Sequence, residues 1–305
     1  PRLAGLGVSR LSLKDFFMSS RAILIQFDCD SQPSVFDGVV AIDSGVDHLL
    51  PHANVRPENV RELVYGAIFT RAVSELHRTA IFIGGSDVAA GEAILAAVRK
   101  TFFGPMRVSV MLDANGANTT AAAAVLAAAA HVDLRGAKAA VLAATGPVGR
   151  RVVQLLAASG AEVRAVSRNQ ARAVAVCEAV AAKLPSARLS PCAGGSIEET
   201  ERAVEGVDVL VAAGAAGVEL LPEKTWRNAA GPQVAVDLNA VPPVGLTGIE
   251  ATDRAAERRG VVCYGAIGVG GMKMKIHKAA IRRLFESNDQ VLDAEEIFEI
   301  GRSVR

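Results

Sequence analysis

Residues 139–149 have the sequence AAVLAATGPVG, an apolar run that breaks into a glycine turn and continues as an amphipathic stretch. This is the layout of a strand, a turn and a helix that together bind a dinucleotide. Gly146 would let the backbone approach a pyrophosphate at the helix start, and Gly149 would let the helix press against the strand. Ala144 stands where the usual pattern has its first glycine. The stretch predicts a cofactor-binding turn made of Thr145, Gly146, Pro147, Val148 and Gly149, with an ordinary strand-to-helix turn as the alternative.

The next apolar run ends in Ser167 and Arg168. A protein that prefers NAD usually has Asp or Glu here, which binds the ribose hydroxyls, whereas a 2′-phosphate favours a hydroxyl and a guanidinium. The pair therefore predicts NADP as the cofactor and leaves NAD as the less favoured one. The alternative for Arg168 is a solvated residue at a helix start.

Composition excludes several classes of function. The chain has 305 residues, half of them hydrophobic, and a formal net charge of +1, so nothing indicates nucleic-acid binding or a membrane-surface patch. Its four cysteines show neither CxxC nor Cys/His spacing, so we expect no disulfide framework and no metal. A reducing cytoplasm fits this composition best. No apolar stretch is long enough to span a bilayer.

Apolar runs alternate with helical patterns along the chain, which predicts an α/β fold of two domains. We expect an N-terminal parallel sheet domain at 18–130 and a Rossmann-like NADP-binding domain at 131–271. Two C-terminal helices, Met272–Phe285 and Asp293–Arg302, would return to the first domain and complete it with residues 272–305. Residues 1–17 form a basic arm without a cleavage site, and Met18 is a plausible natural start.

Polar residues follow the predicted strands of the first domain, where ligands of open α/β sheets bind. Asp28 and Asp30 could accept hydrogen bonds from the N–H groups of a heterocycle, or could instead be turn or capping carboxylates. In the run 113–120, Asn118 or Thr119 is expected to cap the following helix. Asp113 and Asn115 then have no evident structural role, which makes them candidate substrate-binding residues together with Asn118.

The glycine-rich run 265–271 predicts a loop that passes close to a ligand, with Lys273 in the first turn of the next helix. A cation is unfavourable there for the helix dipole, so Lys273 is the candidate catalytic residue. His277 is expected to be packed or capping. Two loops would complete the cofactor site, through Ala213 and Gly214 in one and Asn239 in the other; simple turn chemistry is their alternative role.

Together these segments resemble the bacterial NADP-dependent methylenetetrahydromethanopterin dehydrogenases, some of which also accept methylenetetrahydrofolate. The resemblance covers nearly everything after Met18. It rests on the number and order of these motifs: 26–30, 34–37, 80–85, 113–120, 145–149, 237–243 and 265–275.

The resemblance implies a cytoplasmic homo-oligomer, a trimer, of two α/β domains that takes part in formaldehyde oxidation and one-carbon metabolism. Hydride would pass directly from the one-carbon bridge of the pterin to nicotinamide. By position, Arg168 matches the family's 2′-phosphate arginine and Lys273 the lysine of its cleft. The chain departs from the family at Ala144 and Ser167, where glycine is usual or common, and this bears on cofactor preference rather than on reaction type.

Two other functions are compatible with parts of the sequence. A reductase similar to shikimate dehydrogenase would share the domain order and reduce a small keto acid. A non-catalytic NADP-sensing protein would bind the cofactor without turnover, but it would leave the polar strand ends of the first domain unexplained.

Overall fold

The computed structural model describes residues 20–227 and 231–304, so the predicted arm 1–17 lies outside the described residues. The strands, in chain order, are β1 (Ile23–Phe27), β2 (His48–His52), β3 (Thr79–Ile83), β4 (Ser109–Leu112), β5 (Lys138–Leu142), β6 (Glu162–Ser167), β7 (Arg188–Ala193), β8 (Val209–Ala212), β9 (Val234–Asp237), β10 (Arg254–Arg258), β11 (Val261–Tyr264) and β12 (Val291–Leu292).

The α-helices are α1 (Val35–Asp43), α2 (Val60–Ile68), α3 (Val88–Thr101), α4 (Ala117–Ala128), α5 (Pro147–Ala158), α6 (Gln170–Lys183), α7 (Ile197–Val204), α8 (Glu223–Trp226), α9 (Ala266–Arg283) and α10 (Ala294–Ser303). Within residues 20–227 and 231–304, none combines the length and apolar composition needed to cross a membrane.

The first sheet is parallel throughout and has the order β12-β4-β3-β1-β2. Strand β12 comes from the C-terminal part of the chain and pairs with β4 through Val291 and Leu292. The predicted return of the C-terminus to the first unit is therefore confirmed. Strand β3 is buried along its whole length, as expected for a central strand covered on both faces.

The second sheet has the order β10-β11-β9-β8-β5-β6-β7, and only β10 runs antiparallel. From β5 the chain proceeds outward through β6 and β7, then returns to the other side of β5 through β8, β9 and β11. The order therefore reverses between β5 and β8, and ligands of doubly wound folds bind at such a switch point. This confirms the predicted α/β class and the Rossmann-like arrangement.

Helix α4 joins the two units. Its run from Ala121 to Ala128 is buried on every side, and it packs against α5, α9 and α10. An all-apolar helix surface of this kind needs neighbours all round, and alanine side chains allow them to come close. One continuous core follows, which includes Phe82 of the first sheet and Val141 of the second.

Helix α9 begins at Ala266, six positions before the predicted start at Met272, so the prediction of a loop over 265–271 is wrong. The glycines serve a close packing of backbones. A Cβ on Gly268 would lie 1.7 Å from the carbonyl oxygen of Asp253, so only glycine lets the first turn of α9 touch the segment before β10.

Candidate functional site

The predicted cofactor turn lies at the switch point of the second sheet. After β5, Ala143 has a φ of +55°, and Gly146 is the extended N-cap of α5, with Pro147 in the first turn. The tight turn that a first glycine usually makes is thus centred on Ala143, and Ala144 stays buried with its N–H bonded to the carbonyl of Val166 at 3.0 Å. Alanine is therefore accommodated at position 144.

Both glycines of the turn have the geometry that a dinucleotide requires. A Cβ on Gly149 would lie 2.5 Å from the carbonyl oxygen of Ala143, so glycine is needed for α5 to approach the strand end. At Gly146 a Cβ would lie 3.4 Å from the same oxygen and 3.7 Å from that of Ala213. Gly146 therefore leaves open the space in front of the first turn of α5, where the N–H groups of Val148 and Gly149 have no preceding carbonyl to bond.

Ser167 and Arg168 follow directly on β6. Ser167 is buried, and its hydroxyl accepts a hydrogen bond from the Asn169 N–H at 3.2 Å. Arg168 is exposed, and among residues 20–227 and 231–304 no carboxylate lies within ion-pair distance of it. An exposed guanidinium thus follows β6. A groove of about 720 Å³ lies between α3, α5 and α6, and its lining includes Thr145, Arg150 and Arg172.

The two loops predicted to complete the cofactor site contact each other. The Asn239 side chain donates to the carbonyls of Ala215 and Pro243, and its oxygen accepts from the Val241 N–H at 3.0 Å. This buried amide therefore holds the loop after β8 against the loop after β9. The Ala213 N–H bonds to the Leu142 carbonyl, and Gly214 leaves room for Leu220, whose Cδ1 would lie 2.9 Å from a Cβ there.

At the strand ends of the first sheet, Asp28 and Asp30 have clear structural roles. The Asp28 carboxylate accepts from the Asp30 N–H at 2.9 Å and from the Ser34 N–H at 3.0 Å. Asp30 accepts from both the N–H and the hydroxyl of Ser86. These contacts indicate structural roles as turn carboxylates, which was the alternative to a role in ligand binding.

The run 113–120 differs from its prediction. Neither Asn118 nor Thr119 caps α4; the cap position is Gly116, with a φ of +58°, and Asp113 accepts the N–H groups of both Asn118 and Thr119. Asp113 therefore has a structural role that the sequence did not reveal, because this carboxylate, four residues before the helix begins, accepts free N–H groups of its first turn. The Asn115 side chain is exposed.

Asn118 joins both units of the chain. Its amide nitrogen donates to the Leu112 carbonyl at 2.6 Å and to Asp293 at 2.9 Å, while its oxygen accepts from the Arg151 guanidinium. Arg151, on α5, also pairs with Glu92 on α3 at 3.1 Å. Sequence reasoning missed Arg151, because nothing in the local pattern distinguishes it from the exposed Arg150 beside it.

Lys273 lies in the middle of α9, so the dipole argument made from the sequence does not apply. The observation that singles it out is its environment. Its ammonium lies 5.1 Å from the ring centroid of Phe36, a cation–π distance, and a Cβ on Gly116 would lie 2.6 Å from Nζ. Gly116 thus leaves the space that the ammonium occupies beside the ends of the strands.

His277, one turn further along α9, is fully buried and stacks on Phe82 with a centroid distance of 5.6 Å. It is packed, as predicted, but within the described part of the chain neither ring nitrogen has a hydrogen-bond partner. Burial lowers the pKa of His277 to about 4, against the opposing effect of Asp37. Burial also raises the pKa of Asp113, whose Oδ2 lies 3.9 Å from His277 Nδ1, to about 6. Both groups are costly to charge.

Comparisons with known proteins give two family matches. The family described as methylenetetrahydromethanopterin dehydrogenase, N-terminal, matches residues 35–115, and the family described as NAD(P)H-binding matches residues 143–297. The first range includes α1 and the ends of β2, β3 and β4. The second includes the cofactor turn and Lys273.

Two relatives from Methylorubrum extorquens are similar over nearly their whole length. The bifunctional protein MdtA is 46% identical over 289 residues, which cover 93% of this chain and 99% of MdtA. The NAD(P)-dependent methylenetetrahydromethanopterin dehydrogenase is 30% identical over 92% of this chain and 98% of its own.

Among solved structures, quinate dehydrogenase from Corynebacterium glutamicum in complex with NAD is similar with a TM-score of 0.51. The match covers 93% of this chain and 99% of the dehydrogenase, at 12% identity. At this identity the likeness shows the two-unit α/β fold alone.

Proposed function

We infer the reaction from one premise: the chain belongs to the methylenetetrahydromethanopterin dehydrogenase family. It is an oxidoreductase that uses NADP, and we propose that it oxidises the methylene group of 5,10-methylenetetrahydromethanopterin to the methenyl form. The observation that carries the proposal is the presence of two sites in one chain. The glycine turn at 145–149 lies at the switch point of the second sheet. Lys273, on α9, lies beside the polar strand ends of the first sheet.

The residues of the turn fit NADP. A side chain at Gly146 would fill the open space in front of α5, and a side chain at Gly149 would push α5 away from the strand end. Arg168, after β6, has no acidic partner among the described residues. Thr145, Pro147 and Val148 would complete the pyrophosphate site, and Ser167 with Arg168 would bind the 2′-phosphate. Ala213, Gly214 and Asn239 would border the remainder of the cofactor. When bound, NADP supplies the hydride acceptor.

Removal of a hydride from a carbon flanked by two nitrogens leaves a cation shared by both nitrogens, so the step requires no general base. The protein's contribution is alignment, together with an electrostatic environment that tolerates the positive charge. Asp28 and Asp113 are carboxylates near the strand ends, and His277 stays neutral because it is buried. A charged Lys273 in contact with the nascent cation would raise the barrier. We therefore propose that Lys273 positions a carbonyl or ring nitrogen of the pterin.

The five proposed substrate residues differ in whether their side chains are held by hydrogen bonds or are exposed. Asp28, Asp30, Asp113 and Asn118 hold the loops in place through hydrogen bonds, so we propose that they act on the substrate by shaping its site. Asn115, whose side chain is exposed, is the one of the five that is free to contact a ligand directly.

We also propose that 18–130 with 272–305 forms the pterin domain and 131–271 the NADP domain. By resemblance to the family, we propose that the protein is a cytoplasmic homotrimer and that some activity extends to methylenetetrahydrofolate.

One assay tests the function against its two rivals. The protein is mixed with NADP and either formaldehyde-charged tetrahydromethanopterin or formaldehyde-charged tetrahydrofolate, and the absorbance of reduced nicotinamide is followed. We expect turnover with the methanopterin. Oxidation of shikimate-type hydroxy acids without pterin turnover would favour the reductase, and NADP binding without any turnover would favour a sensor.

A further inference from the structure

Several carboxylates lie around the strand ends of the first sheet, and most of them bind backbone amides. Asp28, Asp30 and Asp113 each accept at least one hydrogen bond from a main-chain N–H. Asp37, in the first turn of α1, differs from them. In the described part of the chain, no main-chain N–H donates to its carboxylate, although its own N–H is held by the Ser34 hydroxyl at 3.2 Å.

The Asp37 side chain points towards the end of β3. Its Oδ2 would lie 3.2 Å from a Cβ on Gly84, and the Oδ2 of Asp28 would lie 3.7 Å from the same point. Phe82 Cε1 would be only 3.0 Å away. The absence of a side chain at Gly84 therefore allows the Asp37 carboxylate to reach the end of β3.

Lys273 and His277 face the same region from α9. The ring of Phe36, next to Asp37 in the chain, holds the Lys273 ammonium at 5.1 Å from its centroid. Lys273 and Asp37 influence each other electrostatically, although no ion pair within 4.0 Å joins them in the described residues. Within the same residues, both nitrogens of the buried His277 ring lack a hydrogen-bond partner, which is costly unless something else binds there.

Electrostatic effects support this grouping. Burial raises the pKa of Asp37, and His277, Ser34 and Lys273 oppose that shift, while Asp113 adds to it. Burial thus leaves the Asp37 carboxylate without full solvation. A donor that enters beside it would favour its ionised form, and a hydrogen bond formed in so poorly solvated a place is strong.

We propose that Asp37 is the acceptor for the N–H groups on the pyrimidine edge of the substrate's pterin ring, opposite Lys273; this rests on the proposed function. That edge presents an exocyclic amino group and a ring N–H side by side, followed by a carbonyl oxygen. A carboxylate accepts from the two adjacent donors, and an ammonium donates to the carbonyl. Asp37 and Lys273 supply this complement, and Phe36 positions the ammonium.

The test measures binding by calorimetry with the full chain. The ligands are tetrahydromethanopterin and its 2-desamino-2-methyl analogue, in which a methyl group replaces the exocyclic amino group. We expect Asp37→Asn to weaken tetrahydromethanopterin binding at least tenfold and to leave NADP binding unchanged. The matched control is Asp43→Asn, on the same helix, where the carboxylate pairs with Lys278 at 2.9 Å and should not affect pterin binding.

The wild-type protein should also bind the desamino ligand at least tenfold more weakly, and Asp37→Asn should lose most of that discrimination. Equal affinity of the wild-type protein for both ligands would overturn the proposal, and this comparison remains decisive if Asp37→Asn does not fold. Unchanged pterin binding by a folded Asp37→Asn variant would overturn it as well. If the wild-type protein bound no pterin at all, the proposed function itself would be wrong.

Discussion

Replacing Gly149 by alanine should disturb both the fold and the binding of NADP. The new Cβ would lie 2.5 Å from the Ala143 carbonyl oxygen and 2.9 Å from the Ala144 Cα. Both neighbours are backbone atoms, which cannot rotate away as a side chain could. The second distance is roughly 1 Å shorter than ordinary carbon contacts. Helix α5 must therefore move away from the strand end, at a cost of about 1–3 kcal/mol of unfolding free energy.

Two further glycine variants separate packing from binding. Gly146→Ala places its Cβ no closer than 3.4 Å to its neighbours, so its unfolding free energy should change by less than about 1 kcal/mol, yet NADP should bind about tenfold more weakly because the backbone can no longer approach the pyrophosphate. Gly66→Ala, inside α2 with no atom within 4 Å of the new Cβ, should gain about 0.5–1 kcal/mol.

Urea unfolding gives the stabilities of these variants, and titration with NADP gives the affinities. We expect Gly149→Ala to lose both stability and affinity, Gly146→Ala to lose affinity alone and Gly66→Ala to lose neither. If Gly149→Ala kept the stability and the NADP affinity of the wild-type protein, the reasoning about the close contact between helix and strand would be refuted.

Four other substitutions test individual parts of the site. Arg168→Ala should weaken NADP binding about tenfold or more and leave NAD binding nearly unchanged, since only the 2′-phosphate loses a charge-assisted hydrogen bond; equal losses for both cofactors in titrations would contradict that role. Lys273→Met should lower kcat while NADP binds as before, and intact turnover would show that the lysine does not position the substrate. The last test concerns the buried pair Asp113 and His277, whose pKa values are about 6 and about 4. Between these pH values the folded protein carries one proton on Asp113, and the unfolded chain carries one on the histidine. The contributions of the two groups to the pH dependence of stability therefore cancel. In His277→Phe only the raised pKa of Asp113 remains, and stability should fall by about 3 kcal/mol as the pH rises from about 4 to about 6. In Asp113→Asn only the lowered pKa of His277 remains, and stability should instead fall as the pH drops from about 6.5 to about 4. Urea unfolding across this pH range checks both slopes, and slopes of the same sign in the two variants would contradict the assignment.

The cofactor turn could be predicted from the sequence because its signals are local. The glycines at 146 and 149 follow a strand and open a helix, and Arg168 follows the next strand, so a short segment contains the whole pattern. The strand order of the second sheet agrees with that prediction.

The second half of the site could not be predicted in the same way because its contacts join distant segments. The glycines before Lys273 suggested a loop, but their role is the contact between Gly268 and Asp253, which no local pattern reveals. Asp113 caps a helix that begins four residues later. Nothing in the local sequence distinguishes Asp37, since Gly84 and Lys273, which lie near it in the structure, are far away in the sequence.

The central claim is that this chain brings a pterin methylene group and NADP together for direct hydride transfer. The most direct test uses tetrahydromethanopterin charged with dideuterated formaldehyde, in ordinary water, with mass analysis of the reduced cofactor. We predict that the reduced cofactor carries one deuterium atom per turnover. Reduced cofactor without deuterium, with the label found in the solvent, would contradict the claim.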